Sequence, residues 1–426
     1  MMKMFGGTVA VLLVAALPLV VLYAPAAQAG KGGATLTVDC DMGQFLQTDG
    51  IDKACSGTTI SVTGTCNEAV TVGLQAGVPP CPGVGTPFED LTIRGTSGKK
   101  GATGTTIEGV GGPAITVNSN AIRIRIEGVT VGSDTGHAIV IASAHRMTLT
   151  NIRTPSPLGT VGDGVNIDTF STNTEVSSST LNGNGGDGVQ MGATYGMINN
   201  VTTNDNMVAG IHVTGDNVSV ERCTAHNTAA GNAQQFGFQV AGATAVIQKS
   251  IAQDNTVAQY HNTQASTGVI LFRNTAGDPR ALAPPVGGGK GVWEEGSGNY
   301  ISNFTVTRNA GDGVHLAGDG NQLQRSSVSE SGGAQVLITG SRNLVTSVRA
   351  TRVSAPSLFA STDPAIHVDG LLSKANFFIR TSVSVAGTTP GDGFTIVDKD
   401  NPEPTTTGER NTRRPTAVGD PPAALK

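Results

Sequence analysis

Glycine, apolar, polar, apolar is the phrase that recurs along this chain: Gly-Val-Asn-Ile at 164–167, Gly-Val-Gln-Met at 188–191, Gly-Ile-His-Val at 210–213 and Gly-Phe-Gln-Val at 237–240. It returns as Gly-Val-His-Leu at 313–316, Ala-Ile-His-Val at 365–368 and Gly-Phe-Thr-Ile at 393–396. The first three copies start at 164, 188 and 210, steps of 24 and 22 residues. A strand with one inward face, repeated at a near-constant period, predicts a coil of stacked turns rather than a sandwich. A second apolar pair and then a single apolar residue follow most copies: Met197, Ile198 and Val201; Val218, Val220 and Cys223; Val246, Ile247 and Ile251; Leu323 and Val328; Leu344, Val345 and Val348. Each period therefore predicts up to three short strands separated by Asn, Gly, Ser and Thr. Asn184, Asn206 and Asn309 each stand four residues before a repeat glycine, where left-handed backbone would make the same bend in every turn.

This periodicity resembles that of the right-handed parallel β-helix proteins, the superfamily of pectate lyases and polygalacturonases, over roughly residues 58 to 398. The resemblance implies an all-β solenoid, and it implies that a polysaccharide lies along one parallel-sheet face and its flanking loops. A left-handed hexapeptide helix and a leucine-rich horseshoe are disfavoured, since neither a six-residue period nor the leucine-asparagine consensus is present. The enzymes' signatures are missing. The polygalacturonase set of Asn-Thr-Asp, paired aspartates, Gly-His-Gly and Arg-Ile-Lys does not occur; Gly136-His137-Ala138 is its nearest fragment and lacks the second glycine. Arg153-Thr154-Pro155 is the nearest approach to the arginine-before-proline base of a pectate lyase. No activity transfers residue by residue.

Composition fits the coil: 58 glycines among 426 residues, 4% aromatics and 14% charged residues suit turns and strands. A formal net charge of −5 supplies no basic face, which excludes nucleic acid as an expected partner. Lys3, the apolar run 8–23 and Ala27-Gln28-Ala29 predict a signal peptide over 1–29, in preference to an uncleaved anchor, and no later segment is apolar enough to span a membrane. A secreted or periplasmic location follows. Cys40, Cys55, Cys66 and Cys81 then predict two disulfides in an N-terminal cap over 30–85; a zinc site is the alternative, without Cys-x-x-Cys or a nearby histidine to support it. Cys223 sits at an inward position with Val201 and Ile251, as a core thiol. The helix proper is expected over 86–398, interrupted by a loop insertion at 277–300, and the Pro/Thr-rich tail 399–426 is expected to be disordered.

The polar position of the phrase faces outward, giving a column of Asn166, Gln190, His212, Gln239, Ile270, His315, His367 and Thr395. Asp168 and Asp369, two residues on, would pair with Asn166 and His367. From this column we expect His212, His315, His367, Asp168 and Asp369 as acid–base candidates, because a histidine beside a carboxylate is oriented for proton transfer. Asn166, Gln190 and Gln239 are expected to bind substrate. Trp293 and Tyr300, in the loop with Glu294 and Glu295, are candidates for stacking on sugar and for paired-carboxylate chemistry, with Trp293 as a loop anchor being the competing role. A polar ladder that merely stabilises stacked strands is the competing account of the column. Asp163, Asp187, Asp312 and Asp392, in Gly-Asp-Gly phrases, are expected to bond bend amides, with calcium the alternative. Three functions are compatible with these features: a glycan-binding coil without turnover, a polysaccharide lyase, hydrolase or epimerase, and a structural or adhesive surface protein. An exported protein that binds or modifies an extracellular or cell-envelope glycan is the preferred expectation.

Overall fold

The computed structural model describes residues 33–75, 85–96, 104–154, 160–228, 234–277, 289–353, 365–368, 376–379, 381–386, 396–398 and 412–413. The signal-peptide segment, Cys81, Asp369, Asp392 and Thr395 lie outside them, as does the tail apart from two residues. Among the described residues, forty-one short strands wind into one coil with three parallel walls of 15, 13 and 13 strands. Wall one begins with Thr35–Asp39 and Thr59–Thr63, wall two with Thr65–Asn67 and wall three with Val70–Val72. The chain visits them in that order, and each strand pairs with the corresponding strand one turn on. The repeated phrase builds wall three.

Stacking in register turns the alternation into internal columns. On wall three, Val165, Val189, Ile211, Phe238, Tyr260, Val292, Val314, Val336 and Ile366 lie on consecutive rungs, all buried. Each such side chain contributes about 1.5–3 kcal/mol by leaving water. The parallel column beside it reads Ile167, Met191, Val213, Val240, Asn262, Glu294, Leu316, Ile338 and Val368, so two polar residues interrupt it on adjacent rungs. At the N-terminal end, short helical segments at Cys40–Met42, Leu46–Gly50 and Ile51–Lys53 close the coil, burying Leu46 and Ile51. Glu68 accepts hydrogen bonds from the backbone N–H groups of Leu46 and Gln47, and a Cys40–Cys66 disulfide ties the first of these segments to wall two. Cys55 is also disulfide-bonded. Thr412–Arg413, within the tail, adds a last strand to wall one beside Phe377 and Phe378.

The left-handed bends fall beside the asparagines rather than on them. Asn184, Asn206 and Asn309 are buried, and none has left-handed backbone. Asn184 and Asn206 instead belong to an internal amide ladder: Asn184 Nδ2 donates to Asn206 Oδ1 (2.7 Å), Gln234 Nε2 to Asn255 Oδ1 (2.6 Å) and Asn255 Nδ2 to Gln259 Oε1 (2.6 Å). Left-handed φ falls at the corner after wall one, on Ser178, Asn200, Arg222, Lys249, Arg273, Asn303, Arg325 and Ser347 in successive turns, at the corner before wall one, on Asn173, Tyr195 and Asn217, and on Gly183, Asp205 and Arg308, each one residue before the asparagines named above. The repeat glycines answer to crowding rather than φ. A Cβ on Gly188 would lie 2.6 Å from the Gly210 carbonyl oxygen of the next rung.

Candidate functional site

The outward column of wall three runs Asn166, Gln190, His212, Gln239, His261, Trp293, His315, Leu337 and His367. Three expectations are corrected by this register. Ile270 belongs to wall one, between Val246 and Tyr300, so Tyr300 also leaves the face; its hydroxyl bonds Gln324 Oε1 at 3.3 Å. Trp293 is a rung of the wall, within the strand Lys290–Glu294, and 289–300 is regular coil rather than part of an insertion; 278–288 lie outside the described residues. Val397, not Thr395, pairs with His367.

Three residues before each column member stands a second outward position, occupied by His137, Asp163, Asp187, Ala209, Phe236, Ala258, Lys290 and Asp312 in successive turns. The aspartates cap the next rung: Asp163 Oδ1 accepts from the Asp187 N–H (2.7 Å), Asp187 Oδ1 from Ala209 N–H (2.8 Å) and Asp312 Oδ1 from Ala334 N–H (3.1 Å). The second oxygens of the first two face the polar column. Asp163 Oδ2 accepts from Asn166 Nδ2 (2.6 Å) and lies 3.1 Å from His137 Nδ1. Burial alone would raise the Asp163 carboxyl, but the adjacent His137 ring, whose Nδ1 accepts the Asp163 N–H (2.9 Å), with the bonds from Asn166 and the Asp187 amide, outweighs that and holds it below the usual range; Asp163 in turn raises His137.

Asp187 Oδ2 lies 3.0 Å from His212 Nδ1. A carboxylate only accepts, so Nδ1 carries the proton and Nε2 is left as the acceptor nitrogen. Nε2 has no hydrogen-bond partner among the described residues, and 22% of the side chain is exposed. His212 therefore presents an oriented, accessible lone pair between the amides of Gln190 and Gln239.

His261 and His315 are already engaged. Lys290 Nζ lies 2.9 Å from His315 Nδ1, and because an ammonium only donates, His315 must use Nε2–H toward Thr339 Oγ1 (3.0 Å). Burial, with the Lys290 charge second, pushes His315 down to about 4. His261 donates Nε2–H to Glu295 Oε2 (3.0 Å), while its Nδ1 is buried without a partner among the described residues. Burial lowers His261 despite Glu295, and lowers Lys290 despite Asp312 and Glu295. Phe236, His261 and Trp293 stack along the coil axis at 4.9 and 4.5 Å between ring centroids, and Lys290 Nζ sits 4.2 Å from the Trp293 centroid. Rings stacked along the axis turn edges outward, so Trp293 offers no open face to a sugar. His367 stands on the wall beyond Leu337, with Nε2 buried and unpartnered among the described residues.

Asp168 does not pair with Asn166: its carboxylate accepts from Ser143 N–H (3.0 Å), Ser171 N–H (2.9 Å) and Ser171 Oγ (2.6 Å), clamping the connection after the strand. Glu294 and Glu295 point to opposite sides of the wall. Glu294 is 0% exposed, accepts from Asn262 Nδ2 (2.6 Å) and Asn299 Nδ2 (2.7 Å), and is pushed by burial up to about 8. The two cannot flank one glycosidic bond. Cys223 is buried and free, its thiol pushed by burial up to about 12; Ser250 rather than Ile251 occupies the equivalent place one turn on, accepting the Cys223 N–H. Arg153 lies on wall two, away from the face. Among the described residues the one group of three or more possible metal ligands is Cys40, Cys66 and Glu68, whose sulfurs are already joined. The Gly-Asp-Gly carboxylates do not converge on a common point, since their oxygens are turned to successive amides. The Asp187–His212 pair escapes a reading of the sequence because its members are 25 residues apart in different phrases; the constant period, applied to both outward columns together, is the signal that joins them.

No family model matches the sequence, and no curated protein matches it. Solved structures share the coil. The A-module of a mannuronan C-5 epimerase from Azotobacter vinelandii is 14% identical, covering 80% of this chain and 90% of its own with a TM-score of 0.50. The Dettilon tailspike protein is 12% identical, covering 70% of this chain and 62% of its own, again with a TM-score of 0.50. At such identities the likeness is one of fold alone.

Proposed function

We propose that wall three of this parallel β-helix binds an extracellular polysaccharide and modifies it by proton abstraction, with His212 as the base and Asp187 as its positioning residue. The accessible Nε2 of His212, held by a carboxylate that is itself held by the backbone, carries this reading. Gln190 and Gln239 on the flanking rungs offer amide donors and acceptors to sugar hydroxyls. Hydrolysis usually needs two carboxyl groups astride the bond. Here Asp163 and Asp187 are both committed to amides and side-chain partners, so abstraction of a carbon-bound proton, as in a lyase or an epimerase, fits better than glycoside hydrolysis. The predicted leader and the disulfide-bonded cysteines support export, and among the described residues no helix is long and apolar enough to cross a membrane.

The full chain would be incubated with uronate and neutral polysaccharides in heavy water, following unsaturated-sugar absorbance, reducing ends and exchange of sugar ring protons. Unsaturation or exchange that disappears in His212→Gln supports the reading. Binding without either signal removes the enzyme. A second reading, a non-catalytic structural or adhesive surface protein, is favoured by the mutually packed Phe236–His261–Trp293–Lys290–His315 stretch, and predicts no chemistry on any glycan.

A further inference from the structure

The face around His212 lacks a ring on which a sugar could stack, since the wall-three aromatics stack on one another. Two rings at its border are open. Phe170 is 73% exposed and Tyr195 is 62% exposed, in connections that leave wall three directly after the strands carrying Asn166 and Gln190. The backbone beneath each is fixed. Phe170 lies in the connection that the Asp168 carboxylate clamps through Ser143 and Ser171. The next rung accommodates that connection only because residue 192 is glycine: a Cβ there would meet Ile167 O at 2.6 Å and the Asp168 carbonyl carbon at 2.8 Å. Tyr195 has φ +59°, a conformation unfavourable for an aromatic residue. Neighbouring turns place Asn173 and Asn217 at the same corner, and asparagine tolerates that φ better. A bulky ring kept in left-handed backbone and exposed to water is a costly arrangement for the coil alone.

We propose that Phe170 and Tyr195 form a stacking subsite for a pyranose unit of the glycan, one to two turns before the His212 rung, a proposal that rests on the glycan reading above. The apolar C–H face of the sugar would lie against the rings, while its hydroxyls reach the amides of Asn166 and Gln190 on the same two rungs. Two turns rise about 10 Å, so a single oligosaccharide can touch the subsite and His212 together. Because clamp and corner fix the backbone beneath both rings, binding has only their side-chain torsions to order.

The test is native-gel affinity electrophoresis of the full chain through alginate, polygalacturonate, xylan and hydroxyethyl cellulose, comparing wild type with Phe170→Ala, Tyr195→Asn and Tyr195→Phe. Phe170→Ala and Tyr195→Asn should each weaken retardation by about five- to tenfold. Tyr195→Phe should keep it. Tyr195→Asn should melt at or above the wild-type temperature, since it relieves the strained backbone, so lost binding cannot be blamed on lost fold. Retardation equal to wild type in Phe170→Ala and Tyr195→Asn overturns the subsite while leaving the glycan reading intact. Wild type unretarded by every polysaccharide overturns the glycan reading itself, and the subsite with it.

Discussion

Two stretches of wall three follow one register and one backbone, yet they use their outward side chains in opposite ways. From residue 163 to 213 the inward column is aliphatic, and the face carries carboxylates, amides and a histidine with an open nitrogen. From 236 to 316 aromatic rings line both sides of the wall: Phe238 and Tyr260 stack inside at 4.8 Å, and Phe236, His261 and Trp293 stack outside. The charged groups in the second stretch are turned toward neighbours, with Lys290 against His315 and Glu295 against His261. A column of histidines is thus not one site. What separates a histidine that can act from one that holds strands together is the partner that the adjoining rung supplies.

The largest effect expected from breaking this contrast is on turnover. His212→Gln should lower the rate of proton abstraction by about 100- to 10,000-fold, the usual range for a lost general base, with little change in melting temperature. His315→Gln, already bonded at both nitrogens, should change the rate by less than about tenfold. Steady-state rates on whichever glycan responds would decide; equal losses in the two variants would erase the distinction between the stretches.

A smaller but clear effect should appear in stability against pH, and only from the second stretch. Glu294 is pushed by burial to about 8 in the folded chain, above the ordinary carboxyl value of 4.5. The folded state therefore holds this proton more tightly than the unfolded state, so its stabilising contribution is complete below about pH 4.5 and is lost as pH climbs toward 8. The contribution amounts to several kcal/mol, at about 1.4 kcal/mol for every tenfold difference in proton affinity between the two states. Glu294→Gln should flatten that fall, with the Asn262 amide turning to receive the new NH2. Thermal melts of both chains from pH 5 to 9 would test it, and parallel curves would mean that Glu294 is ionised throughout.

Glu294 also explains where the sequence stops being readable. The coil is legible because valine, isoleucine and leucine return at a near-constant period. At 258–262 and 290–294 the second inward position holds Asn262 and Glu294, so the phrase loses its apolar ending and Ile270, from another wall, offers itself as the missing rung. The two polar residues are tolerable only because they bond each other across adjacent rungs, a pairing that exists only after the turns are stacked. Val336-Leu337-Ile338 is hidden for the converse reason, being apolar throughout. For the candidate site, alternation alone places Asn166, Gln190, His212 and Gln239 on one face. It does not place their partners, because Asp163 and Asp187 reach that face from a second column with a different offset.

Removing Trp293 should separate the stretches again, now by stability alone. Trp293→Ala gives up the stack on His261 and the Lys290 contact together, for a loss of about 2 kcal/mol. Gln190→Ala, on the same column in the first stretch, should stay within about 0.5 kcal/mol. Urea unfolding with a common m-value would compare them, and similar losses would mean that the outer stack contributes no more than an ordinary polar rung.

The inner stack allows the finest comparison. Tyr260 occupies the column position of Ile211 and Val189, but its hydroxyl donates to the Ser250 carbonyl at 2.7 Å and its ring meets Phe304 edge-on at 4.9 Å. Burial raises the phenol well above its ordinary value, so it remains protonated and available as a donor. Tyr260→Phe keeps the ring contacts and removes one hydrogen bond, which should cost about 1 kcal/mol. Tyr260→Leu returns the position to the aliphatic style of the first stretch and should cost more, since it also surrenders both ring contacts. If the two variants unfold at the same urea concentration, the hydroxyl rather than the rings is what holds the second stretch together, and its outer and inner aromatics are packing of the ordinary kind.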